Sequence, residues 1–284
     1  MAENRRNFMK SALTATGAGL MLSAPEAAAV QTQEQPAART IPIALVQFDA
    51  VPEQVDRNLQ EVGRLTEQAA KSGARWVIFH EGTVCDYTPR LHELAELVPE
   101  GKSTQWITKL ASRLKCFISF GLSETRADRF HICQVFVGPE GFIYRYRKTW
   151  IWHILDDKGY RDEWARYDPG TGPEIFQFDG VRATCFICAD GAAWRCWERA
   201  AQLRPQLVFY PNNRGTLTGF PVLGQLAKTI GAPMIVTNRV GTSWFEKCEG
   251  GCAVYSGSGV LLAAANHEGK EEILLHNLEI RAKS

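Results

Sequence analysis

The sequence lacks three features that would each point to a particular class of protein. No apolar run reaches the roughly 18–20 residues that a membrane span requires, and no block of like charges is present. The 32 Lys and Arg residues against 31 Asp and Glu residues give a net charge of +1, which argues against binding to nucleic acid because such proteins normally carry a basic face or tail. Eight cysteines in 284 residues are too few for a disulfide scaffold.

Several motifs of cofactor-dependent and metal-dependent enzymes are also missing. There is no Gly-Lys-Ser phosphate loop and no glycine-rich dinucleotide fingerprint after the first predicted strand. A Gly-x-Ser-x-Gly elbow and a His-Glu-x-x-His pair are absent as well. We therefore expect no cofactor and no bound metal ion.

Residues 1–29 have the pattern of an export signal. Arg5 and Arg6 open a basic start, residues 11–24 are weakly apolar, and residues 27–29 are three alanines of the kind that a signal peptidase accepts. The paired arginines resemble a twin-arginine motif, so we expect a periplasmic or secreted protein. An ordinary secretion signal and a disordered tail are the alternatives.

The remaining chain has the pattern of a single α/β domain. Residues 30–40 are polar and are interpreted as a linker, and residues 41–280 form the domain. Residues 41–48 are apolar enough for a strand that is buried on both faces, and residues 55–69 place apolar side chains at helical spacing. Strands, helices and hairpins then continue to the end of the chain, which predicts a mixed sheet. After removal of the signal, no membrane span is expected.

Two cysteine pairs suggest a non-enzymatic alternative. Cys185 and Cys188 form a Cys-x-x-Cys, and Cys248 and Cys252 lie four apart, so together they resemble a zinc site or a redox-active dithiol. The first pair lies at the end of a predicted strand, where residues three apart face opposite sides. A zinc-binding or dithiol-bearing binding protein is therefore the less favoured interpretation of these cysteines.

Three chemically reactive side chains each follow a predicted strand. Glu81 comes directly after an apolar strand, at the kind of sheet edge where α/β proteins form ligand sites. Lys148 ends another strand and precedes several aromatic residues, which we expect to remove it from water. Cys188 lies where a strand turns into a helix, and backbone N–H groups there can lower the pKa of a thiol and bind an oxyanion.

These three residues match, in order, the base, lysine and nucleophile of the nitrilase superfamily, the carbon–nitrogen hydrolases. The sequence resembles that family over about residues 41–280, and the loop at residues 163–170 is similar to the one that carries a second glutamate, here Glu163. The resemblance implies an αββα sandwich of two mixed sheets. It also implies a subunit that assembles into a homodimer or a larger homo-oligomer.

The family mechanism assigns a role to each matched residue. Glu81 would take the proton of Cys188, whose sulfur attacks an amide or nitrile carbon. Lys148 and the backbone N–H of Ala189 would stabilise the oxyanion, and Glu81 would then activate water against the thioester. Glu163 would position the substrate or share the proton transfers.

The residues around the cysteine favour an amidase. The sequence Cys188-Ala189-Asp190-Gly191 is closest to the Cys-x-Asp-Gly of aliphatic amidases and formamidases. Hydrolases of N-carbamoyl amino acids place arginines soon after the cysteine, and here those positions hold glycine and alanine. We therefore expect a small or medium amide as substrate, with a nitrilase or an N-carbamoyl amide hydrolase as alternatives.

Four further residues are assigned to the substrate pocket. They are Trp150, Trp152, Trp164 and Asn212, and the three tryptophans lie near the matched site in sequence. For the tryptophans, packing in the hydrophobic core is an equally strong interpretation.

Overall fold

The structure is a computed structural model that describes residues 38–153, 162–217, 223–243 and 246–281. The predicted export signal lies outside these residues and stays a prediction, as do the localisation and the oligomeric state. The first strand begins at Arg39, two residues before the predicted start of the domain at residue 41. Within the described ranges, no helix is both long and apolar enough to cross a membrane.

Two six-stranded mixed sheets form the centre of the domain. The first sheet has the order β14-β1-β2-β3-β4-β5, with strands β1 (Arg39–Gln47), β2 (Trp76–Ile78), β3 (Phe117–Arg126), β4 (Arg129–Gly138), β5 (Gly141–Arg147) and β14 (Glu272–Ile280). The second has the order β13-β12-β9-β8-β7-β6, with strands β6 (Phe176–Phe178), β7 (Val181–Cys185), β8 (Leu207–Pro211), β9 (Met234–Thr237), β12 (Ala253–Tyr255) and β13 (Leu261–Ala264). A separate ribbon pairs β10 (Val240–Thr242) with β11 (Lys247–Glu249).

Helices cover the outer face of each sheet. The helices are α1 (Val55–Lys71), α2 (Leu91–Leu94), α3 (Lys102–Leu114), α4 (Trp194–Leu203) and α5 (Leu223–Ile230). Apolar side chains of α1 and α3 share a buried cluster with outward-facing residues of the first sheet, such as Ala44 and Val46. Side chains of α4 and α5 share another with Val208 and Val236 of the second sheet.

The third and largest buried cluster lies between the two sheets. On β1, Ile41, Ile43 and Leu45 belong to it, whereas the alternate residues face the helices. Aromatic rings close the gap between the sheets, since the Trp76 ring centroid on β2 lies 5.0 Å from that of Phe178 on β6. The predicted αββα sandwich is therefore confirmed, and β1 is buried on both faces as its apolar run predicts.

Each sheet has parallel strands at its centre, and the loops that form the candidate site follow the carboxyl ends of strands in both sheets. Strand β2 pairs in parallel with β1 and β3, and β8 pairs in parallel with β7 and β9. Strand β5 is antiparallel to β4, which is antiparallel to β3, so β5 ends at the same edge as β2. The candidate site is built from the loops that follow β2, β5, β7 and β8.

Strand β14 closes the first sheet by pairing with β1. The pairing is antiparallel and continuous, from Arg39 opposite Ile280 to Gln47 opposite Glu272. The first and last described strands of the domain are therefore neighbours, although most of the chain lies between them.

Candidate active site

Glu81 lies in a turn that continues from β2 and is held against β3. The N–H of Phe79 donates to the carbonyl of Ser119 at 2.8 Å, and the N–H of Val84 donates to that of Gly121 at 3.0 Å. The hydroxyl of Thr83 closes the turn by donating to the carbonyl of His80 at 2.6 Å. The carboxyl of Glu81 is thereby fixed in a buried position.

The turn fits against β3 only because residue 121 is a glycine. A Cβ atom at Gly121 would lie 2.4 Å from the backbone nitrogen of Gly82 and 2.9 Å from the carbonyl carbon of Glu81. Real Cβ contacts are not this short, and backbone atoms cannot rotate away as a side chain can. The close approach therefore sets the position of Glu81.

We expect Gly121→Ala to lower the free energy of unfolding by about 1–3 kcal/mol, the usual cost of overpacking, and to reduce kcat because Glu81 shifts. Gly138→Ala is the matched control, since its Cβ would meet the Phe117 side chain at 2.8 Å, away from this turn. Denaturant unfolding and turnover of the two variants check the prediction. Equal losses of kcat in both variants would contradict it.

Lys148 is the first residue after β5 and is fully buried. Its N–H donates to the carbonyl of Ile132 at 2.8 Å, which keeps it in line with the sheet. Its Nζ donates to Oε1 of Glu81 at 2.9 Å and to Oε1 of Glu163 at 2.8 Å. One ammonium therefore bridges two buried carboxylates that come from different parts of the chain.

Glu163 begins a short 3-10 turn, Glu163–Ala165. Its second oxygen, Oε2, accepts a hydrogen bond from the N–H of Trp152 at 2.8 Å. The side chain thus joins the segment that follows Lys148 to the segment that follows residue 162. Glu163 is thus the second carboxylate that contacts the ammonium of Lys148.

Burial and neighbouring charge act in opposite directions on these groups. Burial lowers the pKa of Lys148, but the carboxylates of Glu163 and Glu81 outweigh it and raise that pKa above its ordinary value, so the ammonium stays charged. Burial raises the pKa of Glu81, and Lys148 opposes this without cancelling it. A carboxylate with a raised pKa is a stronger base, which suits proton transfer near neutral pH.

One oxygen of Glu81 is available for that transfer. Oε1 accepts hydrogen bonds from Lys148 and from the hydroxyl of Tyr87, the latter at 3.0 Å. Oε2 is buried and has no hydrogen-bond partner in the part of the chain that the structure describes. Glu81 can therefore accept a proton at Oε2 while Oε1 stays bound to Lys148.

Cys188 lies at the strained start of a 3-10 turn, Cys188–Ala192, three residues after β7. Its φ of 45° is in the left-handed region that non-glycine residues rarely adopt. The carbonyl of Cys188 accepts a hydrogen bond from the hydroxyl of Tyr210 at 2.7 Å, which holds this conformation. Ala189 follows in the first turn, where backbone N–H groups have no partner within the helix.

Charged groups of the site act on the pKa of the Cys188 thiol. Burial and the carboxylate of Glu81 raise the pKa of this thiol, while Lys148 and Arg214 lower it, and the net shift is upward. At neutral pH the sulfur is therefore a thiol, and it needs a base before it can act as a nucleophile. Glu81 can act as this base, because its Oε2 has no hydrogen-bond partner among the described residues.

Arg214 lies beside the nucleophile, although no motif in the sequence points to it. Its Nη2 is 3.4 Å from Sγ of Cys188. It follows β8, the parallel neighbour of β7, so residues beyond both strands meet at one edge of the sheet. The parallel pairing of β7 and β8 was the signal that could have pointed to Arg214.

Asp190 is a second residue whose importance was missed. Its Oδ2 accepts from the N–H of Ile187 and the hydroxyl of Tyr146, each at 2.9 Å. Its Oδ1 accepts from the N–H groups of Thr149, at 3.0 Å, and of Trp150, at 2.5 Å. Asp190 therefore ties the turn of the cysteine to the two residues that follow Lys148.

The predicted pocket residues have two different environments. The exposed fractions of Trp150, Trp152 and Trp164 are 55%, 50% and 66%, so core packing is the wrong interpretation for these three. Lys148 is removed from water as expected, since it is fully buried, although Trp150 and Trp152 themselves are exposed. The pocket role of the tryptophans stays a prediction.

Asn212 is fully buried and holds β8 to β9. Its side-chain nitrogen donates to the carbonyl of Tyr210 at 2.8 Å, and its backbone N–H donates to that of Thr237 at 2.8 Å. Its Oδ1 has no hydrogen-bond partner among the described residues, so a part in substrate binding also stays a prediction.

The four cysteines of the zinc alternative have separate environments. Cys185 donates to the carbonyl of Phe186 at 3.3 Å, Cys252 to that of Asn238 at 3.5 Å and Cys248 to that of Glu246 at 3.9 Å, and Cys188 lies against Arg214. Across the described ranges, no three His, Cys, Asp or Glu side chains are grouped so that they could hold a metal ion.

Comparison with known proteins identifies the family to which the sequence is similar. A sequence profile for the family described as carbon-nitrogen hydrolase matches residues 42–282. A protein of Pyrococcus abyssi named "Nitrilase" is 28% identical over 155 residues, which are 53% of this chain and 56% of that protein. The chain therefore matches little more than half the length of this curated relative.

Solved structures match over a larger share of the chain. The carbon-nitrogen hydrolase from Helicobacter pylori G27 has a TM-score of 0.72 and 22% identity, covering 84% of this chain and 88% of that one. A mutant of the amidase from Nesterenkonia sp. AN1 has a TM-score of 0.73 and 19% identity, covering 84% and 90%. That amidase was solved with the acetamide moiety of fluoroacetamide covalently added at its active-site cysteine. At these identities the likeness concerns the fold.

Proposed function

Because this chain belongs to the carbon–nitrogen hydrolase family, we propose that it is an amidase that hydrolyses the C–N bond of a small or medium amide through a Cys188 thioester. The observation that carries the proposal is the buried Lys148 ammonium, which bridges Glu81 and Glu163 beside a buried thiol. The acetamide moiety on the active-site cysteine of the Nesterenkonia amidase supports the same chemistry.

The first half of the reaction forms the thioester. Glu81 takes the Sγ proton at Oε2, and the sulfur of Cys188 bonds to the amide carbon, whose oxygen becomes negative. An ammonium has three N–H groups, and Lys148 gives two of them to Glu81 and Glu163. The third, with the backbone N–H of Ala189, can donate to the oxyanion. Glu81 then returns the proton to the departing nitrogen as the C–N bond breaks.

The second half of the reaction hydrolyses the thioester. A water molecule loses a proton to Glu81 and attacks the thioester carbon, and the same donors stabilise the second oxyanion. The C–S bond then breaks, the sulfur recovers the proton from Glu81, and a carboxylic acid is released. Glu163 holds Lys148 in place throughout, because its other oxygen is fixed by Trp152.

The ammonia released from a panel of amides and nitriles tests the proposal. We expect turnover of short amides by the wild-type protein, and none by Cys188→Ala. With hydroxylamine present, the thioester should be trapped as a hydroxamate by wild type alone, which excludes direct attack of water. Amide hydrolysis that survives in Cys188→Ala would overturn the proposal.

A nitrilase is the second candidate, and the relative named "Nitrilase" in Pyrococcus abyssi favours it. The same thiol would attack a nitrile carbon, and the negative nitrogen would need a proton in place of an oxyanion donor. Turnover of nitriles with no turnover of the corresponding amides would establish this activity instead.

A further inference from the structure

The imidazole of His80 is fully buried and has no role in either half of the reaction. Its Nδ1 lies 2.7 Å from the carbonyl oxygen of Glu81, the next residue along the chain. A carbonyl oxygen can only accept a hydrogen bond, so Nδ1 carries the proton of the ring and donates it. A side chain therefore holds the backbone of the base itself.

His80 is neutral in the folded protein at working pH. Burial and the positive charge of Arg239 lower the pKa of His80 from 6.5 to about 3, although the carbonyls of Glu81 and Phe48 oppose this shift. The second ring nitrogen, Nε2, has no hydrogen-bond partner among the residues that the structure describes. Because a buried polar atom without a partner opposes folding, the favourable polar contact of this ring is the one at Nδ1.

Packing and backbone bonds hold His80 beside Glu81. The ring of Phe48, the residue after β1, packs against the imidazole with the two ring centroids 5.0 Å apart. The carbonyl of His80 accepts the hydroxyl of Thr83 at 2.6 Å. That same carbonyl oxygen lies so near β3 that a Cβ at Gly121 would be 2.8 Å from it. Both the side chain and the backbone of His80 are thus fixed.

The bond at Nδ1 matters because the two carboxylate oxygens of Glu81 are held unequally. Oε1 accepts hydrogen bonds from Lys148 and Tyr87, whereas Oε2, which takes the thiol proton, has no partner among the described residues. A carboxyl bound at one oxygen can still swing about that oxygen unless its backbone is fixed. We propose that His80 is a positioning residue, which holds the carbonyl of Glu81 and thereby directs Oε2 toward the sulfur of Cys188. This inference rests on the proposed function, in which Glu81 is the base.

Two amide side chains distinguish the bond at Nδ1 from the presence of any polar group. The nitrogen of asparagine is as many bonds from the backbone as Nδ1 of histidine, and that of glutamine is as many as Nε2. His80→Asn therefore keeps a donor for the carbonyl of Glu81, whereas His80→Gln displaces it and His80→Leu removes it. Val77→Ala is the matched control, because it removes apolar volume from a fully buried position on β2 and leaves the bond intact.

Labelling with methyl methanethiosulfonate tests the proposal without any amide turnover. The thiolate of Cys188 takes the CH₃S group and methanesulfinate leaves, while Glu81 keeps the thiol proton. We expect the second-order rate to fall at least about tenfold in His80→Leu and His80→Gln and to stay within about threefold of wild type in His80→Asn, because small misplacements of a catalytic group are costly. Val77→Ala should react like wild type although it unfolds at a lower denaturant concentration. Intact mass follows the labelling, with Cys188→Ala as the blank for the other cysteines.

Three outcomes of the labelling would overturn the inference. Equal rates in His80→Asn and His80→Gln, fast or slow, would show that the bond at Nδ1 is not what matters. Slow labelling of Val77→Ala would show that lost stability explains the effect. An unchanged rate in Glu81→Gln would show that Glu81 is not the base, and the role of His80 would fall with it.

Steady-state kinetics connect this positioning to amide hydrolysis. Across the His80 variants kcat should follow the labelling rates while KM changes less than about threefold, because a misdirected base slows proton transfer and leaves substrate binding alone. A raised KM with unchanged kcat would overturn the inference and leave the amidase standing. The expected labelling pattern without hydrolysis of any amide by wild type would instead overturn the proposed function.

Discussion

Replacing Lys148 with methionine will lower kcat for amide hydrolysis at least about 10²–10³-fold and will lower the free energy of unfolding by about 3–5 kcal/mol. The kinetic loss is that expected when one oxyanion donor is removed. The stability loss is that expected when one partner of a buried ion pair is removed, because Glu81 and Glu163 then face each other without a cation. Denaturant unfolding and steady-state ammonia release measure the two effects.

A double variant separates the two losses. Adding Glu163→Gln to Lys148→Met removes one of the uncompensated charges, so much of the lost stability should return. Catalysis should not return, because the donor to the oxyanion is still missing. Recovery of activity together with stability would show that Lys148 only supports the fold, and would contradict its proposed role.

Replacing Asp190 with alanine will lower the free energy of unfolding by about 3–5 kcal/mol and will also reduce kcat. The carboxylate accepts hydrogen bonds from Ile187, Tyr146, Thr149 and Trp150. Each buried donor that loses its partner costs about 1–3 kcal/mol, and the total is smaller than the sum because these costs are not additive. The kinetic loss follows because Asp190 joins the turn of Cys188 to the segment after Lys148. Turnover measured well below the melting temperature of the variant distinguishes positioning from simple unfolding, and an unchanged kcat there would contradict the positioning role.

Asp190 also predicts how stability depends on pH. Burial raises the pKa of Asp190 to about 6, and the hydrogen bonds it accepts oppose that shift. Between its ordinary pKa of 3.8 and about 6 the folded protein binds a proton that the unfolded chain has released. The stability gained from this proton is fully present below pH 3.8 and is lost as the pH rises through 6. The difference in unfolding free energy between wild type and Asp190→Asn should therefore fall over this range.

Burial patterns in the sequence predict an α/β domain, and the resemblance to the family implies its four layers. The run at residues 41–48 is apolar on both faces, so β1 is predicted to be covered on both sides, as the structure shows. The order of Glu81, Lys148 and Cys188 at strand ends also follows from local pattern. Each element could be placed from its own residues, without knowledge of its neighbours.

The residues that the sequence does not predict depend on contacts between distant segments. Arg214 looks like an ordinary loop arginine until β8 is known to lie beside β7. Asp190 looks like part of a short turn until the segment after β5 is placed against it. The exposed tryptophans show the same limit, because hydrophobicity predicts burial but the single chain leaves Trp164 at the surface.

The pairing of β1 with β14 delays completion of the first sheet during synthesis. The partner of Arg39 is Ile280, so about 240 residues must be made after the first strand before its outer edge can be covered. At roughly 5–20 residues per second this takes on the order of 10–50 s, during which β1 presents unpaired backbone groups that can template aggregation. A chain cut short before residue 272 would lack β14 and would keep this edge of β1 unpaired.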